Sequence, residues 1–283
     1  MTRPSRTHPS RTRILRRREA ALPVPPVARE VLSARPAVDE GRPPLLLVPG
    51  FGAGAWVYAE HWLDHVADRG YPAHAMSVRG HGGSARARRA GLRAYVHDVV
   101  QVAASLPRRA VLVGHGAGAL VVARALARYP AAAAVLAAPV FGGRLAGWST
   151  VGRCLVRNPV GTVPAAFGGP LRLRRGQLFS RQLPAATATA YRQRMCRAAA
   201  RAQWQLLLGG LPEPPVGDPP VLVLGSPDDA VVSTAALNRV ARRYGGAPLL
   251  FPGMGHALML DAQWREPVEA VLDWLDKGLA PRD

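Results

Sequence analysis

The sequence predicts an α/β fold, a mostly parallel central sheet with helices on both faces. Three observations lead there. Six short, largely apolar runs (Leu45–Val48, Ala73–Val78, Ala110–His115, Ala133–Ala138, Val221–Leu224 and Leu249–Phe251) read as strands, and the unbroken ones such as Leu45–Val48 have the hydrophobicity of strands buried on both faces. Stretches with apolar residues at helical spacing lie between them, and such alternation is the pattern of parallel strands joined by crossover helices. Finally, several runs end in turns rich in Gly or polar residues, where an open α/β sheet carries its chemistry.

At 283 residues the chain fits one α/β domain, and 48% hydrophobic residues can fill a sizeable core. Cys154 and Cys196 have no metal-ligand spacing around them and read as free buried thiols, with a disulfide as the alternative, and neither points to an oxidising compartment. No apolar run reaches the length of a membrane span. Neither a metal nor a cofactor is expected, and the expected location is cytoplasmic, at most peripheral to a membrane.

Residues 1–43 form a separate compositional zone. Arg3, Arg6, Arg11, Arg13 and Arg16–Arg18 precede a Pro-rich stretch containing Pro23, Pro25 and Pro26. Dense like charge with few apolar residues predicts disorder. No apolar h-region follows the Arg triplet, as a secretory signal would require. The folded unit is therefore expected to start at Pro44.

Leu45–Val48 is the first strand, and Pro49-Gly50-Phe51-Gly52-Ala53-Gly54-Ala55-Trp56 is the loop after it. Glu60–Asp68 has a helical stripe (Trp62, Leu63, Val66) that stops at Gly70. Ala73–Val78 then runs into Arg79-Gly80-His81-Gly82-Gly83-Ser84, read as a structural loop in which Ser84 bonds locally. Leu92–Leu106 is a helix with Tyr95, Val99 and Val102 on one face. The strand Ala110–His115 ends in Gly114-His115-Gly116-Ala117-Gly118, and Ala119–Tyr129 continues with helical spacing. So sharp a reversal requires residues that carry almost no side chain at Gly114 and Gly118.

After the strand Ala133–Ala138 the rhythm breaks. Residues 141–217 are rich in Gly, Pro and Arg, then helical from Ala185 to Leu208. Between Asp98 and Glu213 there are fifteen Arg and no acid, within a chain of net charge +19. A surface of one sign attracts anions or anionic lipid headgroups, and it reads equally as a solvated basic face. Nucleic acid is not the expected partner. The pattern resumes with Val221–Leu224 and Ser226-Pro227-Asp228-Asp229, a helix around Thr234–Tyr244, the strand Leu249–Phe251, the loop Gly253-Met254-Gly255-His256-Ala257, and a closing amphipathic helix over Asp261–Leu279.

The strand–turn–helix at residues 110–129 resembles the nucleophile elbow of the α/β-hydrolase family, whose pattern is G-x-S-x-G. The order elbow, acid loop, histidine loop resembles the same family, on its esterase/lipase side. The resemblance spans nearly all of Pro44–Leu279 outside 141–217. It implies a core formed by residues 44–140 and 218–283, with 141–217 as a cap. It implies Asp229 (with Asp228 as fallback) and His256 as acid and base, and the backbone N–H groups of Phe51 and Ala117 as an oxyanion hole. Trp148, Phe179 and Trp204 would line a pocket for a small apolar or acyl ligand, or would serve to pack the cap on the core. The nucleophile position is Gly116, which projects no hydroxyl, thiol or carboxylate. Three functions fit: a ligand- or partner-binding pseudohydrolase, a non-covalent enzyme using Asp229–His256 as general base, or a serine ester hydrolase altered from Ser to Gly at one position.

Overall fold

The computed structural model describes residues 23–142, 147–166, 169 and 171–278. Seven strands form one sheet: β1 (Val31–Ala34), β2 (Leu45–Val48), β3 (Ala73–Met76), β4 (Val111–His115), β5 (Ala133–Ala137), β6 (Val221–Gly225) and β7 (Leu249–Leu250). Their spatial order is β1-β3-β2-β4-β5-β6-β7, parallel throughout except for the antiparallel β1–β3 pair. The helices between the central strands are α1 (Trp56–Ala59), α2 (Trp62–Asp68), α3 (Leu92–Ser105) and α4 (Ala117–Ala125). Then come α5 (Gly147–Arg157), α6 (Pro159–Ala166), α7 (Arg175–Leu178), α8 (Ala185–Gln193) and α9 (Ala200–Leu208). Two more, α10 (Thr234–Arg243) and α11 (Arg265–Gly278), complete the α/β frame. No described helix is long and apolar enough to cross a membrane.

Strand periodicity divides the core into two layers. Leu45, Leu47, Val111, Val113 and Val135 face one side with Trp62, Val66 and Leu272. Leu46, Val48, Leu112 and Leu136 face the other with Val99, Leu120 and Val122. Both faces are thus covered by helices, which explains why the central strands are apolar at every position. Because β4, β6 and β7 run in the same direction, the loops that follow them emerge at one edge of the sheet.

The folded unit begins before Pro44, contrary to the expectation from composition. Strand β1 pairs with β3 in the register Val31↔Met76 to Ala34↔Ala73 and covers what would otherwise be a bare edge. Around it, Ser77 N–H donates to Glu30 O at 3.0 Å and Ala85 N–H to Ala28 O at 3.0 Å. The Arg79 guanidinium donates to Pro25 O at 3.1 Å. An edge strand is only half-covered, and Val31–Ala34 alternates exposed and partly buried positions, so it has no continuous apolar run to reveal it. Residues 1–22, expected to be disordered, lie outside the described residues.

A second difference concerns residues 185–208, expected to be one helical stretch. The chain instead breaks between α8 and α9, where Cys196 N–H donates to Gly52 O at 2.7 Å and lays this segment on the loop after β2. The helices α5 and α6 in residues 141–217 were not expected either: α5 is amphipathic but sits in a stretch read as Gly-, Pro- and Arg-rich, and α6 carries Pro164 inside it. Cys154 and Cys196 are both free thiols, the first buried and the second exposed.

The Arg79–Ser84 loop is held by buried charge. Asp98 on α3 accepts from Arg79 Nε at 2.9 Å, from Nη2 at 2.7 Å and from the Arg79 backbone N–H at 3.1 Å. Ser84 Oγ donates to Ser77 O at 2.7 Å and accepts from Glu30 N–H at 2.9 Å, the local bonding expected of it.

Candidate active site

Strand β4 delivers the chain to Gly116, which turns at φ 54°, ψ −120° before α4 begins at Ala117. This conformation is strained for a residue with a Cβ and free of that strain for glycine. Gly116 N–H donates to Ala137 O at 2.9 Å, and Gly116 O accepts from Val140 N–H at 2.9 Å, so neighbouring strand ends clamp the turn. The flanking glycines are required by close approach. A Cβ on Gly118 would fall on Pro49 O, and one on Gly114 would come within 2.7 Å of Ala119 Cα.

Three groups converge on Gly116. The point a Cβ would occupy there is 3.3 Å from His256 Nε2 and 3.9 Å from Gly50 Cα. Gly50 precedes Phe51, so the loop after β2 borders the elbow where the sequence placed it. Ala117 is the first residue of α4, and its N–H belongs to the helical turn that has no intrahelical acceptor. The Phe51 side chain turns into the core, its ring edge-on to Tyr95 at 5.3 Å between centroids.

His256 and Asp229 form a buried pair. His256 Nδ1 lies 2.8 Å from Asp229 Oδ2, and the other carboxylate oxygen accepts from Val231 N–H at 2.6 Å and Val232 N–H at 3.0 Å. An ionised carboxylate is acceptor-only, so Nδ1 carries the proton and Nε2 presents its lone pair toward position 116. Asp228 points elsewhere. Its Oδ2 accepts from Gly253 N–H at 2.7 Å and steadies the histidine loop.

Two further residues hold His256 in place. His115 Nε2 is 2.9 Å from the His256 carbonyl, which can only accept, so the bond fixes the Nε2–H tautomer of His115. Burial, reinforced by the neighbouring His256, pushes the His115 pKa down to about 3, and the ring is neutral. Asp261 is also buried, and its carboxylate accepts from Gly255 N–H at 2.6 Å and from Ser180 N–H at 2.9 Å. Sequence reasoning missed Asp261. It reads as an ordinary acid at the start of the last helix, and nothing in its spacing shows that it turns back to the loop.

The three aromatic residues expected to line a pocket have different surroundings. Phe179 is buried, 6.0 Å from Tyr191 between ring centroids, with its backbone against Gly255. Trp204 is 42% exposed, because α9 turns Ala202, Gln203 and Leu206 inward and leaves position 204 outside. Trp148 lies in α5, and its side chain is outside the described residues.

Comparison with known proteins fits this geometry. Residues 45–274 match the family described as the alpha/beta hydrolase family. Comparison with curated proteins gives no match. Among solved structures, a monoacylglycerol lipase from Paleococcus ferrophilus is 18% identical over 89% of this chain and 99% of that one, with a TM-score of 0.64. A thermophilic esterase from Thermogutta terrifontis is 19% identical over 89% and 94%, TM-score 0.63. A soluble variant of the monoglyceride lipase from Saccharomyces cerevisiae, in complex with a substrate analogue, is 13% identical over 89% and 91%, TM-score 0.69. At such identities the likeness is one of fold. With the family match covering most of the chain and the elbow, acid and histidine loops meeting at one sheet edge, the chain belongs to the alpha/beta hydrolase family.

Proposed function

We propose that this protein is a ligand-binding pseudohydrolase, a family member that recognises a small apolar or acyl compound without forming a covalent acyl intermediate. The observation that carries the reading is Gly116 at the elbow, facing His256 Nε2 with no side chain to be activated. Acyl transfer through a serine needs an oxygen nucleophile whose proton passes to the histidine, and glycine offers none. What remains is a recognition site. The N–H groups of Phe51 and Ala117 serve a carbonyl or carboxylate oxygen, and the oriented His256 ring serves a hydroxyl or acid on the same ligand. The inserted helices of residues 141–217 are read as the cap over it, with Phe179 backing the histidine loop.

The Asp229–His256 geometry favours one second reading. A tautomer-fixed imidazole with its Nε2 lone pair toward the elbow is a general base for water or for an acidic proton on a bound compound. The protein would then be an enzyme with no covalent step. Removing a triad member still leaves roughly 10³–10⁴-fold acceleration over water in serine hydrolases, through binding and the oxyanion hole.

One set of measurements separates these readings. The chain and its Gly116→Ser and His256→Ala variants are compared in a short-chain ester hydrolysis screen and in labelling with a fluorophosphonate. The pseudohydrolase reading expects no turnover and no label for the chain as it stands. Turnover abolished by His256→Ala, still without label, establishes the non-covalent enzyme instead. Stoichiometric labelling of a serine at this site in the unaltered chain would overturn both.

A further inference from the structure

We infer that the tip formed by α5 and α6 is a docking surface for an anionic lipid bilayer. This goes beyond the proposed ligand role and does not depend on it. The inner face of α5 is committed to the core: Cys154 is buried against Val231 and Val232. Arg153 donates to Asp229 O at 2.7 Å, so α5 rests on the acid loop. Its outer face carries apolar side chains into solvent. Val156 is 86% exposed and Val160, just across the α5–α6 junction, is 78% exposed.

Leu155, Val163 and Leu171 extend the same region, each exposed. They lie together because the chain returns against α6, with Arg172 N–H donating to Gly161 O at 3.0 Å and Asn158 Nδ2 donating to Arg172 O at 2.6 Å. Scattered exposed apolar residues are ordinary, whereas a contiguous group rimmed by charge marks an interaction site.

The rim identifies the partner. Arg157, Arg172 and Arg174 flank the tip, and Arg174 reaches the Arg157 carbonyl at 3.4 Å. No acid occurs anywhere between Asp98 and Glu213, so none of the helices α5 to α9 carries a carboxylate beside them. Apolar side chains that enter the acyl boundary, ringed by guanidinium groups that meet phosphates, are the two components of interfacial binding. A soluble protein partner would need acids facing these arginines and a fitted apolar pocket. A bilayer with anionic headgroups supplies both as a continuous surface.

The test is vesicle co-sedimentation of the full chain with phosphatidylcholine vesicles, with and without phosphatidylglycerol. The chain is expected to bind the anionic vesicles and to release them in high salt, as the Debye length shrinks from about 10 Å at 0.1 M to 3 Å at 1 M. Val156→Ser/Val160→Ser should weaken binding about tenfold or more, because several methyl groups no longer leave water. Arg172→Glu/Arg174→Glu should abolish it. An unchanged thermal midpoint for each variant excludes misfolding. Failure to bind anionic vesicles, or equal binding to phosphatidylcholine alone, overturns the inference. So does binding that the valine variant leaves unchanged, since the attraction would then be plain surface charge from elsewhere in this basic chain.

Discussion

His256 Nε2 lies 3.3 Å from the point a Cβ on Gly116 would occupy. The backbone of Gly116 turns at φ 54° and ψ −120°, and the His256 ring faces it, held by Asp229 at 2.8 Å. Glycine makes the turn without strain, and the imidazole keeps an orientation that only a group at or near position 116 could use.

A first prediction concerns stability. A residue with a Cβ held in this backbone region costs on the order of 1–3 kcal/mol, offset by roughly 0.5–1 kcal/mol because glycine loses more entropy on folding. Gly116→Ser should therefore lower stability by about 1 kcal/mol, read from urea midpoints of the two forms. A serine form as stable as the parent would mean that the turn is not strained.

The same variant bears on chemistry. If the Phe51 and Ala117 N–H groups and the Asp229–His256 pair are in working order, Gly116→Ser gains esterase turnover and fluorophosphonate labelling. In that background Asp229→Asn should reduce kcat by about 10⁴-fold, because the amide favours the wrong imidazole tautomer. A silent serine form, unaffected by His256→Ala, would say that the site has been rebuilt for binding.

How much of this could be read from the chain follows a physical line. Gly116 and Asp229 were legible because each follows a central strand that announces itself by its apolar run, whereas His256 follows the half-exposed edge strand β7 and was read from its Gly-rich loop and its place after the acid loop. Strand β1 was not legible. Val31–Ala34 is half-exposed at the sheet edge and sits within a Pro- and Arg-rich stretch whose composition argues for disorder. Asp261 escaped for a different reason, since its bonds to Gly255 and Ser180 depend on a return of the chain that no local spacing encodes. The exposure of Trp204 likewise depends on which face α9 turns inward.

The N-terminal strand leads to a third prediction. A chain starting at Pro44 would lose the β1–β3 ladder and the Glu30 carboxylate that accepts from Ser77 Oγ at 2.5 Å and from Gly83 N–H at 2.9 Å. It would also bare the edge of β3. The truncated protein should melt earlier and aggregate more readily than the full chain, by scanning fluorimetry and light scattering. Equal melting would show that β1 adds nothing to the fold.

Asp98 and Arg79 give a fourth. Asp98→Ala leaves a guanidinium only 4% exposed without its carboxylate. Breaking a buried pair on one side costs about 3–5 kcal/mol, while replacing both partners by apolar residues often costs much less. The double variant Arg79→Met/Asp98→Leu should therefore be more stable than Asp98→Ala in denaturant titrations. The reverse order would indicate that the further bonds of this pair, from Arg79 to Pro25 O at 3.1 Å and from Arg29 Nη1 to Asp98 Oδ1 at 3.2 Å, outweigh the cost of the unpaired charge.

The last prediction is a pH dependence centred on His115. Burial first, and the adjacent His256 second, lower its pKa from 6.5 to about 3. In that window the unfolded chain binds a proton at this residue and the folded chain does not, so stability falls as the pH falls. The contribution is fully present above about pH 6.5 and is lost at roughly 1.4 kcal/mol per pH unit on descent toward 3. Asp229 also faces the ring and favours its protonation, but burial and His256 outweigh it. His115→Gln keeps an N–H donor for the His256 carbonyl and removes the titration. Between about pH 7.5 and about pH 5 the parent should lose about 2 kcal/mol more than this variant, since histidines remote from position 115 are common to both proteins. Urea midpoints of the two proteins at the two pH values measure it directly. Parallel losses would show that the folded protein admits the proton at His115, and that the bond to His256 O does not depend on a neutral ring.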